Sequence, residues 1–74
     1  MQDRLISFVI PCYRSEKTIE GVILEIEDAM PVLIQYTYEI LLVNDGSPDG
    51  TWQKICQLAK EHPEVRGYNL ARNF

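Results

Sequence analysis

Nearly unbroken apolar runs alternate along this chain with stripes of apolar residues spaced three and four apart. The first run, Leu5-Ile6-Ser7-Phe8-Val9-Ile10, is rich in β-formers and is stopped by Pro11, so it predicts a strand. A continuous run of this kind suits a strand covered on both faces, as in parallel sheets. From Glu16 to Met30, Ile19, Val22, Ile23, Ile26 and Met30 form the stripe of a helix packed on a sheet. Ser15 is positioned to cap it, Glu16 falls in its first turn, and Pro31 ends or bends it. A second strand runs from Tyr38 to Asn44 through Ile40-Leu41-Leu42-Val43. Trp52, Ile55, Cys56 and Ala59 then repeat the helical stripe, with Asp49 or Ser47 as cap and His62-Pro63 as its close. A shorter, more polar strand, Val65 to Leu70, follows. The order β-α-β-α-β predicts an α/β domain over residues 1–74, with a parallel sheet and right-handed crossovers.

Composition changes this picture by exclusion. With 46% hydrophobic and 24% charged residues the chain is globular rather than disordered. A net charge of −4 and the absence of a Lys/Arg cluster speak against nucleic acid as a partner. Cys12 and Cys56 lack the short spacing of a metal or redox pair and read as small thiols, with no structural disulfide. Gln2-Asp3-Arg4 leads straight into a strand, unlike a signal peptide, and no apolar run approaches the roughly 20 residues of a membrane span. The expected location is cytoplasmic, or the cytoplasmic face of a membrane if membrane helices follow this segment.

Parallel topology brings the carboxyl ends of all three strands to one edge, where open α/β sheets bind ligands. Gathered there are Pro11-Cys12-Tyr13-Arg14-Ser15-Glu16, Asn44-Asp45-Gly46-Ser47 and Ala71-Arg72-Asn73. An aromatic ring, carboxylates and a guanidinium are the makeup of a nucleotide site. Asp45 accepts but does not donate, so it suits a base edge carrying an N–H, as in uracil or guanine, and disfavours cytosine. Equally, Asp45 can simply build an Asx-type turn before Gly46. Tyr13 either stacks on a base or packs under its loop, and Glu16 is either a ligand or a favourable first-turn charge. Asp49 reads first as a cap, Arg72 as a phosphate ligand or a solvated surface group, and Trp52 as core. His62 belongs with the terminal carbonyls of its helix. Neither G-x-G-x-x-G nor G-x-x-x-x-G-K-[ST] occurs, against a dinucleotide dehydrogenase or P-loop enzyme.

Three ordered segments also carry a resemblance: Phe8-Val9-Ile10-Pro11-Cys12-Tyr13-Arg14-Ser15-Glu16, Glu39 through Thr51, and Leu70-Ala71-Arg72-Asn73-Phe74. Together they resemble the start of family 2 glycosyltransferases, nearest to the polyprenyl-phosphate group of dolichol-phosphate mannose synthase and bactoprenol glucosyltransferase type. The resemblance implies a Rossmann-like nucleotide-diphospho-sugar transferase fold with sheet order 3-2-1 in this portion. It implies that Pro11, Tyr13, Glu16 and Asp45 line the nucleoside pocket, with Arg72 near the donor. The implied reaction is inverting transfer of a sugar from a UDP- or GDP-sugar to an acceptor, polyprenyl phosphate or a saccharide, helped by Mg²⁺ or Mn²⁺.

Two positions depart from the family pattern. Arg14 stands where the family commonly has Asn, and Asn44 where it has Asp, which removes a negative charge from the turn but leaves Asp45. The family's metal-binding Asp-x-Asp motif, acceptor region and catalytic base are expected beyond Phe74, so no catalytic or metal residue is assigned and these residues alone are expected to be inactive. A non-enzymatic receiver-like module is the reading from another class, but the first strand ends in Pro11-Cys12 and supplies no acidic pair. An exposed sheet edge would invite self-association.

Overall fold

The computed structural model of the chain describes residues 4–70. Strand β1 (Arg4–Cys12) leads to helix α1 (Ile19–Ala29), a 3₁₀ turn (Met30–Val32), strand β2 (Tyr36–Asn44), helix α2 (Thr51–Glu61) and strand β3 (Val65–Asn69). The strands are parallel in the order β1-β2-β3, so β2 is central and the expected 3-2-1 arrangement holds.

The element borders moved for local reasons. β1 continues through Pro11, which pairs in register with Val43. A proline is tolerated there because β1 is an edge strand among the described residues, where a missing N–H need not break a ladder. α1 begins three residues later than the stripe suggested. The Ser15 carbonyl accepts the N–H groups of Thr18 and Ile19, both at 3.0 Å, closing a turn ahead of the helix. Ser15 Oγ meanwhile donates to the Tyr13 carbonyl and caps nothing. Pro31 sits at the start of the 3₁₀ turn, where its missing N–H costs little.

Right-handed crossovers in the order β1-β2-β3 put both helices on one face of the sheet. That face is packed: Ile40, Leu42 and Val65 form a single core with Ile19, Ile23, Ile55 and Leu58. Gly67 lets α2 lie against β3, since a Cβ at this position would come within 2.5 Å of Ile55 Cγ2. Among the described residues no helix covers the opposite face, so β1 is packed on one side where its apolar run suggested two. Leu5 and Val9 are 59% and 62% exposed, while Leu41 and Val43 beside Val9 and Pro11 are only half-buried.

Side chains also join the two helices. Lys54 Nζ lies 3.0 Å from Glu20 Oε1, and His62 Nδ1 lies 2.7 Å from Glu27 Oε2. His62 therefore engages a carboxylate of α1, where the sequence suggested helix-end carbonyls. Both cysteines are free, Cys12 fully buried and Cys56 partly so. No helix among the described residues is long and apolar enough to cross a membrane.

Candidate functional site

The turn after β2 is held from both sides. Asp45 N–H donates to the Cys12 carbonyl at 3.1 Å, and Leu70 N–H donates to the Asn44 carbonyl at 3.0 Å, tying the turn to β1 and to the end of β3. Gly46 takes φ +69°, a left-handed conformation that glycine adopts without strain. The side-chain acceptor within the turn belongs to Asn44, whose Oδ1 receives Ser47 N–H at 3.3 Å. Asn44 thus plays in this turn a role of the kind considered for Asp45.

The loop after β1 is clipped to the loop after β2. Arg14 N–H donates to Ser47 Oγ at 2.9 Å, Ser15 N–H to Thr51 Oγ1 at 3.0 Å, and Gly50 N–H to Glu16 Oε1 at 3.2 Å. Arg14 has φ +52°, and its guanidinium carbon stands 5.6 Å from the centroid of the Tyr13 ring. Asp49 accepts hydrogen bonds from Ser47 Oγ, Thr51 Oγ1 and, at 3.0 Å, Thr51 N–H. Those bonds, Ser47's first and Thr51's next, hold its carboxyl below the ordinary carboxylate value. The N-cap position itself falls to Gly50, so Asp49 holds Thr51 N–H from one residue ahead of the cap rather than as the cap read from the sequence.

Tyr13 and Asp45 come together on one open hollow of about 800 Å³, shared with Trp52, Gln53 and Asn69. Tyr13 is 54% exposed, so its ring is not packed beneath the loop. Glu16 lies in an adjoining hollow with Gly50 and Lys54, its carboxylate turned to the start of α2. Pro11 is exposed on β1 and does not line the main hollow. Arg72 lies outside the described residues.

Sequence reasoning placed Asn44 at this edge but missed Asn69 and the pairing of the two. In-register pairing sets them side by side at the ends of β2 and β3, and Asn44 Nδ2 donates to Asn69 Oδ1 at 2.8 Å. The signal was a polar residue ending each strand, visible only once the register is known.

This edge offers an aromatic face, a carboxylate acceptor and amide groups, a set suited to holding a ligand. It offers little toward bond-making. Burial pushes the Cys12 thiol up, only partly offset by a backbone hydrogen bond at Val43, so the thiol stays protonated and unreactive. Among the described residues no group of three or more His, Cys, Asp or Glu side chains stands close enough to hold a metal ion. A divalent ion does not fit these residues taken by themselves.

A parallel α/β unit with a hollow at its carboxyl edge has the layout in which open α/β sheets bind ligands, and comparison narrows the class. The model of glycosyl transferase family 2 matches residues 7–74, and the chain belongs to that family. It is 36% identical to dolichol-phosphate mannosyltransferase of Pyrococcus furiosus, over 78% of this chain and 16% of that protein. It is 36% identical to bactoprenol glucosyl transferase of Shigella phage SfX, over 93% of this chain and 22% of that protein. A dolichyl-phosphate beta-glucosyltransferase of Trichomonas vaginalis is 34% identical, over 92% of this chain and 21% of its own length. The chain spans about a fifth of the length of the curated relatives it matches.

Proposed function

We propose that residues 1–74 form the amino-terminal, nucleotide-binding part of a glycosyltransferase that moves a sugar from a UDP- or GDP-sugar to polyprenyl phosphate with inversion. The observation that carries the nucleoside site is the meeting of Tyr13 and Asp45 on one open hollow at the carboxyl edge of the sheet. There the ring can stack on a base while the carboxylate accepts its ring N–H. Polyprenyl phosphate as the acceptor rests on the names of the relatives, three of which act on dolichol or bactoprenol carriers. Glu16 and Arg72 stay in this reading as nucleotide ligands by family likeness, as does Pro11. The Gly50 contact gives Glu16 a structural duty as well.

Mg²⁺ or Mn²⁺ would neutralise the leaving diphosphate in such a reaction. The chain by itself is proposed to bind nucleotide without transferring sugar. The test is an NMR titration of the chain with UDP, GDP and CDP. Shifts at Tyr13 and Asp45 with UDP or GDP, absent with CDP and lost in Asp45→Asn, are expected. Equal responses to all three, or none, would overturn the base-reading role of Asp45.

A further inference from the structure

The buried amide of Asn44, 4% exposed, orients a second amide that faces the hollow. A peptide N–H only donates, so the corner Asn44 turns to Ser47 N–H is Oδ1. Its Nδ2 is then the corner directed at β3, where it donates to Asn69 Oδ1 at 2.8 Å. The carbonyl corner of Asn69 is thereby engaged, and its NH₂ is the corner turned away from Asn44. Asn69 is exposed and lines the same hollow as Tyr13 and Asp45.

We propose that Asn69 is a specificity-determining residue of this site, donating its side-chain N–H to a ring carbonyl that neighbours the ring N–H accepted by Asp45. The proposal rests on the nucleoside reading above. An acceptor and a donor lining one hollow match the edge on which uracil and guanine carry an N–H next to a C=O. Cytosine offers a carbonyl but no ring N–H at that edge, and adenine offers no carbonyl. Asn44 is the positioning residue: it decides which corner of Asn69 the ligand meets. A carboxylate at position 44 would accept from both Ser47 N–H and Asn69 Nδ2, turning the carbonyl of Asn69 into the hollow instead. Asn44→Asp therefore reverses the polarity of Asn69 with almost no change in volume.

The experiment is calorimetric titration of the chain, Asn69→Ala and Asn44→Asp with UDP, 2-thio-UDP and 4-thio-UDP, and with GDP and 6-thio-GDP. A thiocarbonyl is a poor hydrogen-bond acceptor, so each analogue weakens one contact while keeping the ring N–H. The unsubstituted chain is expected to bind the parent nucleotide about fivefold more tightly than one thio analogue, the worth of one net hydrogen bond. In Asn69→Ala and in Asn44→Asp that ratio falls to about one, while circular dichroism shows both variants folded. Should one variant fail to fold, the other carries the comparison. A ratio near one in the unsubstituted chain, or a ratio unchanged in the folded variants, overturns the role of Asn69 and leaves the nucleoside site standing. No binding of either UDP or GDP overturns the nucleoside site and this proposal together.

Discussion

Arg14 and Gly46 both sit at positive φ, +52° and +69°, on the two loops that face the hollow. Glycine has no Cβ to clash there, whereas a side chain pays about 1 kcal/mol for the left-handed region unless it is Asn, which tolerates it. An Asn at position 14 would thus have a backbone reason. We expect Arg14→Asn to raise the unfolding free energy by about 0.5–1 kcal/mol in urea denaturation, and Gly46→Ala to lower it by about 1 kcal/mol. A Cβ at Gly46 meets nothing within 4 Å, so that loss would be purely conformational. A destabilised Arg14→Asn would show instead that the Arg14 guanidinium over the Tyr13 ring outweighs the strain. Neither backbone state was legible in the sequence. Gly46 announced a turn and Pro11 to Ser15 a loop, but nothing in the letters marked a positive φ at Arg14.

At the scale of elements, the start of α2 is where two loops are welded. Asp49 accepts from Thr51 N–H within its own loop, and Glu16 reaches from the β1–α1 loop to Gly50 N–H. Carboxylates are favourable at a helix N-terminus, which explains why Glu16 serves α2 rather than the first turn of α1. Because the carboxyl of Asp49 is held low, the folded chain takes up its proton less readily than the unfolded chain. Its contribution is complete above the ordinary value of 3.8 and is lost as pH falls through the lowered folded value. Asp49→Asn keeps an oxygen for Thr51 N–H but removes this titration. The stability gap between the two proteins should stay level from about pH 7 to about pH 5 and close at lower pH, followed by denaturant midpoints. A gap unchanged to about pH 2 would show that Asp49 gains nothing from its hydroxyl partners.

Across the described residues as a whole, one face of the sheet is packed and the other is not. Both connections run over the same side, so the core that holds Ile23, Ile40 and Ile55 leaves Leu5 and Val9 in solvent. β1 also has no neighbour on its outer side among the described residues. Unpaired backbone groups beside exposed apolar side chains favour pairing with a second copy. We expect size-exclusion chromatography of the chain to show larger species as concentration rises. A folded species that stays monomeric at every concentration would defeat that expectation.

The alternation of runs and stripes was sufficient to place three strands and two helices and to imply a parallel sheet, because side-chain periods of two and 3.6 are local properties of the backbone, whereas the strand order came from the family resemblance. The Asn-Asp-Gly-Ser turn and the aromatic loop were legible for the same reason: motifs are contiguous in the chain. Which of their side chains share a hollow was not. Parallel topology already brought Tyr13 and Asp45 to one edge, but that Glu16 turns to Gly50 and that Asn44 aims Asn69 depend on in-register pairing between strands up to 32 residues apart in sequence. The bare sheet face was equally hidden, because a continuous apolar run is written the same way whether one side or both are covered. Handedness of the crossovers decided it.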